Sequence, residues 1–191
     1  MKYRNFRAWL SVLQAAHPGK RLILKAPEHI GGVAELLSAV PEARLIQTHR
    51  DPETAFASFV SLISLTQGKV AGGVNAAHRD RTSLRLLAHE THRNLQAREH
   101  YSDAIVDVRY DDLVADPLAV VKRIYDHHDV TYSNIARASI ERFITENPQN
   151  THGVHRYDTA GLAVGIDEVR SAFAPYSGIF GFTKPTEAGH I

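Results

Sequence analysis

The sequence predicts a three-layer α/β/α domain with a mostly parallel sheet, on three observations. Two short apolar runs, Arg21 to Lys25 and Arg44 to Thr48, are separated by a crossover of the length that a βαβ unit needs. Each run is followed at once by charged residues and a proline, in Lys25-Ala26-Pro27-Glu28-His29 and in His49-Arg50-Asp51-Pro52. Strands of an α/β sheet deliver side chains to its carboxyl edge in this way. A third run, Ala104 to Arg109, supplies β-branched Ile105, Val106 and Val108 between segments of helical period. At 191 residues and 43% hydrophobic content the chain can bury one good core. A single domain over 1–191 is expected, with 183–191 as a flexible tail.

The elements follow in order. Phe6, Trp9, Leu10 and Leu13 fall at helical spacing between Tyr3 and Ala16, and His17-Pro18-Gly19 stops the pattern. This predicts a helix with one buried face. After the first strand, Pro27 prevents continuation of the ladder, and Leu36, Leu37 and Val40 predict a helix that packs back on the sheet. Asp51, followed by Pro52 and Glu53, suits a helix N-terminus, and this helix runs through Phe56, Phe59, Val60 and Ile63. Gly68 to Gly73 reads as a mobile loop. A long helix is predicted from Asn75 to Glu99, a start at Asp116-Pro117, and a Ser133-capped helix to Thr145. A last short helix is expected over Asp167 to Tyr176.

Bulk composition excludes several function classes. With 22 basic and 21 acidic residues the net charge is +1, so no whole-molecule field gathers nucleic acid or anionic membrane. Any anion site must be local. The absence of cysteine removes disulfide and thiolate chemistry and fits a reducing compartment. No apolar run approaches a membrane span. The expected setting is cytoplasmic. His89-Glu90-Thr91-His92 is one residue short of HExxH, so the zinc-protease spacing fails, and no metal is expected.

Arg50 is the first candidate for chemistry. Its guanidinium is a planar fork of donors matched to phosphate oxygens, at a point where a strand ends and a helix begins. Ser58, two turns into that helix, offers a neutral donor. The alternative is that Arg50 pairs with Asp51 or Asp107 and Ser58 only packs. Lys25, Glu28 and His29 form a second group, a cation beside two candidate bases. The alternative role of Glu28 and His29 is to cap the helix after Pro27.

Leu24-Lys25-Ala26-Pro27-Glu28-His29, then Thr48-His49-Arg50-Asp51-Pro52 with Ser58 eight positions after the arginine, resembles the PAPS-dependent sulfotransferases, in particular the bacterial sulfotransferase family proteins. Tyr110-Asp111-Asp112-Leu113 is similar to their YEDL, and His152-Gly153-Val154-His155-Arg156-Tyr157 to a late GxHxY stretch. The resemblance implies a P-loop nucleotide-hydrolase-like fold and transfer of a sulfuryl group from PAPS (3′-phosphoadenosine 5′-phosphosulfate) to a hydroxyl or amine of a small-molecule acceptor. It places Arg50 and Ser58 on the 3′-phosphate, Tyr110 near the adenine, and Arg156 closing over the 3′-phosphate. Lys25 would meet charge on the leaving oxygen, and His29 or Glu28 would be the base.

The glycine-rich loop that such enzymes carry for the 5′-phosphosulfate is missing from this sequence. The resemblance runs from Tyr3 to Phe182 and corresponds to the C-terminal half to two-thirds of a family member. The fold would then lack a strand between the Thr48-His49-Arg50 strand and the strand before Tyr110, exposing backbone on both. A truncated gene product is the first explanation. A homo-oligomer or partner chain completing the sheet, a sheet closed differently, and a stable remnant are the others. Two alternatives in function are a catalytically inert phosphoadenosine-binding or interaction module, and a nucleotide kinase. The missing loop counts most against the kinase.

Overall fold

The computed structural model describes residues 2–70, 75–148 and 161–182. Its backbone forms α1 (Lys2–Ala16), a 3-10 turn (Pro27–Gly32), α2 (Val33–Ala39), β1 (Leu45–His49), α3 (Pro52–Val70), α4 (Ala76–Tyr101), β2 (Ile105–Arg109), α5 (Tyr110–Ala115), α6 (Pro117–His127), α7 (Asn134–Glu146), α8 (Ile166–Ala172) and α9 (Ala174–Phe180). The fold is α/β and rich in helix, with a small parallel sheet. Internal contacts group the chain into two units, 1–45 with 88–105, and 46–87 with 106–191.

In the first unit, α1 packs on α2 through Tyr3, Leu36 and Val40, with Phe6 and Leu10 against them. A second cluster joins Val33, Leu37 and Ile105 to Ala97 and Tyr101 of α4. Polar ties hold α4 to the 3-10 turn and to α2: Asn94 donates to the carbonyl of Ile30 at 2.9 Å and Arg93 to Glu35 at 2.5 Å. The buried line of α1 is therefore Tyr3, Phe6 and Leu10, spaced for one helix face. Trp9 and Leu13, expected on that face, are exposed. Trp9 is turned to one side of the line that meets α2, whereas Leu13 continues that line one turn past Leu10, beyond the residues of the cluster.

The second unit centres on the sheet and on α3, whose Phe56, Ala57 and Val60 are buried. α8 packs on α3, with Val169 fully buried and Arg170 donating to Glu53 at 2.8 Å. Asp116 and Ser133 cap α6 and α7 as expected, their side chains accepting from the backbone N–H of Ala119 and Ala136.

Four expectations need correction, and one further helix is added. Residues 21–26 form no strand: a strand exists only through a neighbour's hydrogen bonds, and no described residue pairs with this segment, which leaves Ile23 87% exposed. β1 and β2 are direct neighbours, so no slot for an absent strand lies between them. α3 continues through Gly68 to Val70, since one glycine costs a helix only about 1 kcal/mol; positions 71–74 lie outside the described residues. Tyr110 to Ala115 is helical, with Asp111 and Asp112 in its first turn, where acids favour the dipole. The last helix is two, parted at Phe173 with Pro175 in the first turn of α9.

Candidate functional site

Arg50 leaves the backbone between the end of β1 at His49 and the start of α3 at Pro52. Asp51 caps that helix: its Oδ1 accepts from the Thr54 N–H at 2.9 Å and from the Thr54 hydroxyl at 2.8 Å. The junction is thus fixed by its own side chains. The Arg50 guanidinium lies over the Tyr110 ring, 4.5 Å from its centroid. Tyr110 is the first residue after β2, so adjacent strands end in one stacked pair. A guanidinium over an aromatic face directs its N–H donors in its own plane, the geometry that suits carboxylate and phosphate oxygens. Ser58 is half-buried and shares a face of α3 with Asp51 and Thr54, being four residues beyond Thr54.

Next to Arg50, the His49 ring is buried, 1% exposed. Its Nε2 is 2.7 Å from Asp107 Oδ1 and its Nδ1 is 2.9 Å from the Tyr176 hydroxyl. The ring also stacks on Phe180, centroids 3.9 Å apart. Asp107 stands mid-strand in β2, and its backbone carbonyl accepts from Arg123 at 2.8 Å. His49 and Asp107 line an open cleft of about 880 Å³ with Arg109, Asp112, Arg123 and Phe180. Sequence reasoning does not single out His49. The signals that could have done so are strand alternation, which puts Leu45, Gln47 and His49 on one face, and a lone carboxylate inside the apolar run of β2, which needs a partner.

Lys25, Glu28 and His29 belong to the first unit, whereas Arg50, Ser58 and Tyr110 belong to the second. Lys25 and Glu28 are exposed. His29 is half-buried, its Nδ1 3.2 Å from the Tyr3 hydroxyl and its ring 5.2 Å from that of Phe6, centroid to centroid. Burial, seconded by the nearby Glu35 carboxylate, raises the Tyr3 hydroxyl above the usual phenol range. Two glycines admit this packing. A Cβ on Gly32 would overlap the Tyr3 hydroxyl, and one on Gly31 the Glu90 carboxylate. Arg156, with the whole stretch from His152 to Tyr157, lies outside the described residues.

A guanidinium over an aromatic ring thus stands at a strand-to-helix junction, with the Ser58 hydroxyl farther along the same helix. Known proteins share the fold around it. The structure matches that of sulfotransferase STF9 from Mycobacterium avium with a TM-score of 0.85 and 28% identity, over 93% of this chain and 46% of that one. It matches sulfotransferase STF1 from Mycobacterium tuberculosis H37Rv with a TM-score of 0.69 and 32% identity, over 82% of this chain and 40% of that one. The chain thus spans less than half the length of either. No curated protein sequence matches it. Residues 2–134 match the sulfotransferase family, and to that family the chain belongs.

Proposed function

We propose that the chain carries the phosphoadenosine-binding part of a PAPS-dependent sulfotransferase acting on a hydroxyl or amine of a small molecule. The observation that carries this reading is the Arg50–Tyr110 pair at the ends of β1 and β2. It joins an oxyanion-binding fork to an aromatic group within reach of one nucleotide. Arg50 and Ser58 would hold the 3′-phosphate, and Arg156 would close over it. Tyr110, in this geometry, would meet the nucleotide chiefly through the guanidinium it supports.

In the proposed transfer the acceptor oxygen or nitrogen forms a bond to sulfur as the bond between sulfur and the bridging phosphate oxygen breaks. Adenosine 3′,5′-bisphosphate departs, and the acceptor's proton passes to His29 or Glu28. Lys25 would offset charge on the leaving oxygen. His29 is the better placed of the two bases to hold a fixed direction, because Tyr3 and Phe6 confine its ring. The step needs no metal. The cysteine-free composition supports a cytoplasmic setting, and no described helix is long and apolar enough to cross a membrane.

A second reading rests on the length of the relatives. Since this chain spans 46% and 40% of the two solved sulfotransferases, it can act as a phosphoadenosine-binding module that does not itself turn over, or that a second copy or partner chain completes. Calorimetric titration with adenosine 3′,5′-bisphosphate separates the possibilities, with AMP and Arg50→Ala as controls. Binding that needs both the 3′-phosphate and Arg50 supports the site. Adding PAPS and an acceptor then tells enzyme from module. A folded chain that ignores the bisphosphate overturns both.

A further inference from the structure

We infer that His49 is a positioning residue for Arg50, held in place by a hydrogen-bond chain from Asp107 through His49 to Tyr176. The inference rests on the reading of Arg50 as the 3′-phosphate ligand and adds a device that reading does not contain. The Asp107 carboxylate can only accept, so His49 Nε2 carries the proton of that 2.7 Å bond. In the neutral ring Nδ1 is then an acceptor, and the Tyr176 O–H donates to it across 2.9 Å. Phe180 covers the ring face at 3.9 Å. A ring bonded at both nitrogens and stacked on one face has no alternative rotamer that keeps its contacts.

That rigidity reaches Arg50 through the backbone. His49 is the last residue of β1 and Arg50 follows it directly, so anchoring His49 toward Asp107 holds the point of the backbone from which Arg50 departs. Two contacts between neighbouring segments result: an inner pair, His49 with Asp107 of β2, and an outer pair, Arg50 with Tyr110, each the residue just beyond its strand. The inner pair sets the register of β1 against β2. The outer pair needs that register, because Arg50 and Tyr110 follow different strands. Tyr176 contributes from α9, which brings a distant part of the chain into control of the anion seat. Displacement of a liganding group by a fraction of an ångström is enough to weaken a preorganised site.

The test uses Tyr176→Phe and Asp107→Asn. The first removes only the hydroxyl and retains the aromatic contacts of Tyr176 with Phe180 and Phe182; the second keeps the shape of the carboxylate and removes its charge. Each is titrated with adenosine 3′,5′-bisphosphate and with AMP, and the Arg50 Nε–Hε resonance is followed by NMR, assigned by its loss in Arg50→Lys. The expected result is a shifted Arg50 resonance with a ~three- to tenfold loss of bisphosphate affinity and unchanged AMP affinity. Equal losses for both nucleotides, or an unmoved Arg50 resonance, overturn the positioning role. If the parent chain binds no bisphosphate, the ligand reading fails separately, and the resonance alone decides: movement in either variant upholds the coupling of His49 to Arg50, and no movement in both refutes it.

Discussion

The guanidinium of Arg50 lies over the ring of Tyr110, 4.5 Å from its centroid, a contact that gives Tyr110 a way to serve the site by supporting the cation. A phenol that reads adenine through its hydroxyl is damaged by loss of that hydroxyl. A ring that supports a cation is not. Tyr110→Phe is therefore expected to leave affinity for adenosine 3′,5′-bisphosphate within about twofold, whereas Tyr110→Leu weakens it by the ~0.5–1 kcal/mol typical of a partly exposed cation–π contact. Titration of both variants decides the matter. Equal losses in the two would return Tyr110 to a direct role on the base.

Arg50 should also dominate the salt response of the site. A fork of charged donors on a phosphate is a charge-assisted contact, and at a partly open surface it is screened as ionic strength rises. Arg50→Lys keeps the charge but loses the planar fork and its stacking. It is expected to lose about tenfold in bisphosphate affinity and to retain a salt dependence, while Arg50→Ala loses both. Titrations at two salt concentrations check this. A lysine variant equal to the parent would show that only the charge matters.

Much of this site is legible in the amino-acid sequence alone. The Thr48-His49-Arg50-Asp51-Pro52 stretch announces a strand end and a capped helix, and Asp51 caps it. Asp116 and Ser133 announce two more starts, because an N-cap acts through its own backbone neighbours. Sequence patterns mislead where non-local partners decide. Arg21 to Lys25 has strand composition but no neighbour among the described residues, and Trp9 has the right periodicity on a helix face that nothing described covers. His49 escapes such reading for the same reason. Its two polar partners lie 58 and 127 residues away, and no spacing rule reaches that far.

Gly32 is the position where the first unit has least room. A Cβ there would overlap the Tyr3 hydroxyl, which is buried and paired with His29. Tyr3 cannot yield without disturbing Leu36 and Val40, its neighbours in the core. Gly32→Ala is expected to destabilise by ~1–3 kcal/mol, the usual cost of overpacking. The same substitution in a Tyr3→Phe background should cost less, because the overlapping atom is gone. Urea unfolding of the single and double variants measures the coupling, and additive effects would contradict the packing described.

Two of the arginine–carboxylate pairs of the second unit, Arg170–Glu53 and Arg79–Asp80, should differ sharply in what they contribute. Arg170 reaches the largely buried Glu53 at 2.8 Å from a half-exposed position and also meets the exposed Asp167, so water and salt compete for the guanidinium. Arg170→Ala should barely move the unfolding midpoint. Asp80 is fully buried; one of its oxygens accepts from Arg79 at 2.7 Å, and the other from the Ala163 N–H at 2.8 Å. Removing that charge strands a largely buried guanidinium, and breaking such a pair costs ~3–5 kcal/mol. Asp80→Ala should therefore unfold at clearly lower urea than Arg170→Ala. Asp80→Asn falls between them if its amide oxygen still accepts from Ala163.

The Tyr3 hydroxyl sets an alkaline limit on stability. Its pKa in the folded chain is raised above the ordinary value of 10.0, first by burial and then by the Glu35 carboxylate. The unfolded phenol therefore gives up its proton at a lower pH than the folded one, so rising pH favours the unfolded state. The contribution of the protonated phenol is complete below about pH 10 and is lost as pH climbs through the folded-state value. Urea midpoints measured from pH 8 upward should hold level and then fall in the parent, and the fall should be shallower in Tyr3→Phe, which has nothing to ionise at that position. A parent and variant that decline in parallel would show that Tyr3 ionises as easily folded as unfolded, and that the Tyr3–His29 contact does not shield it.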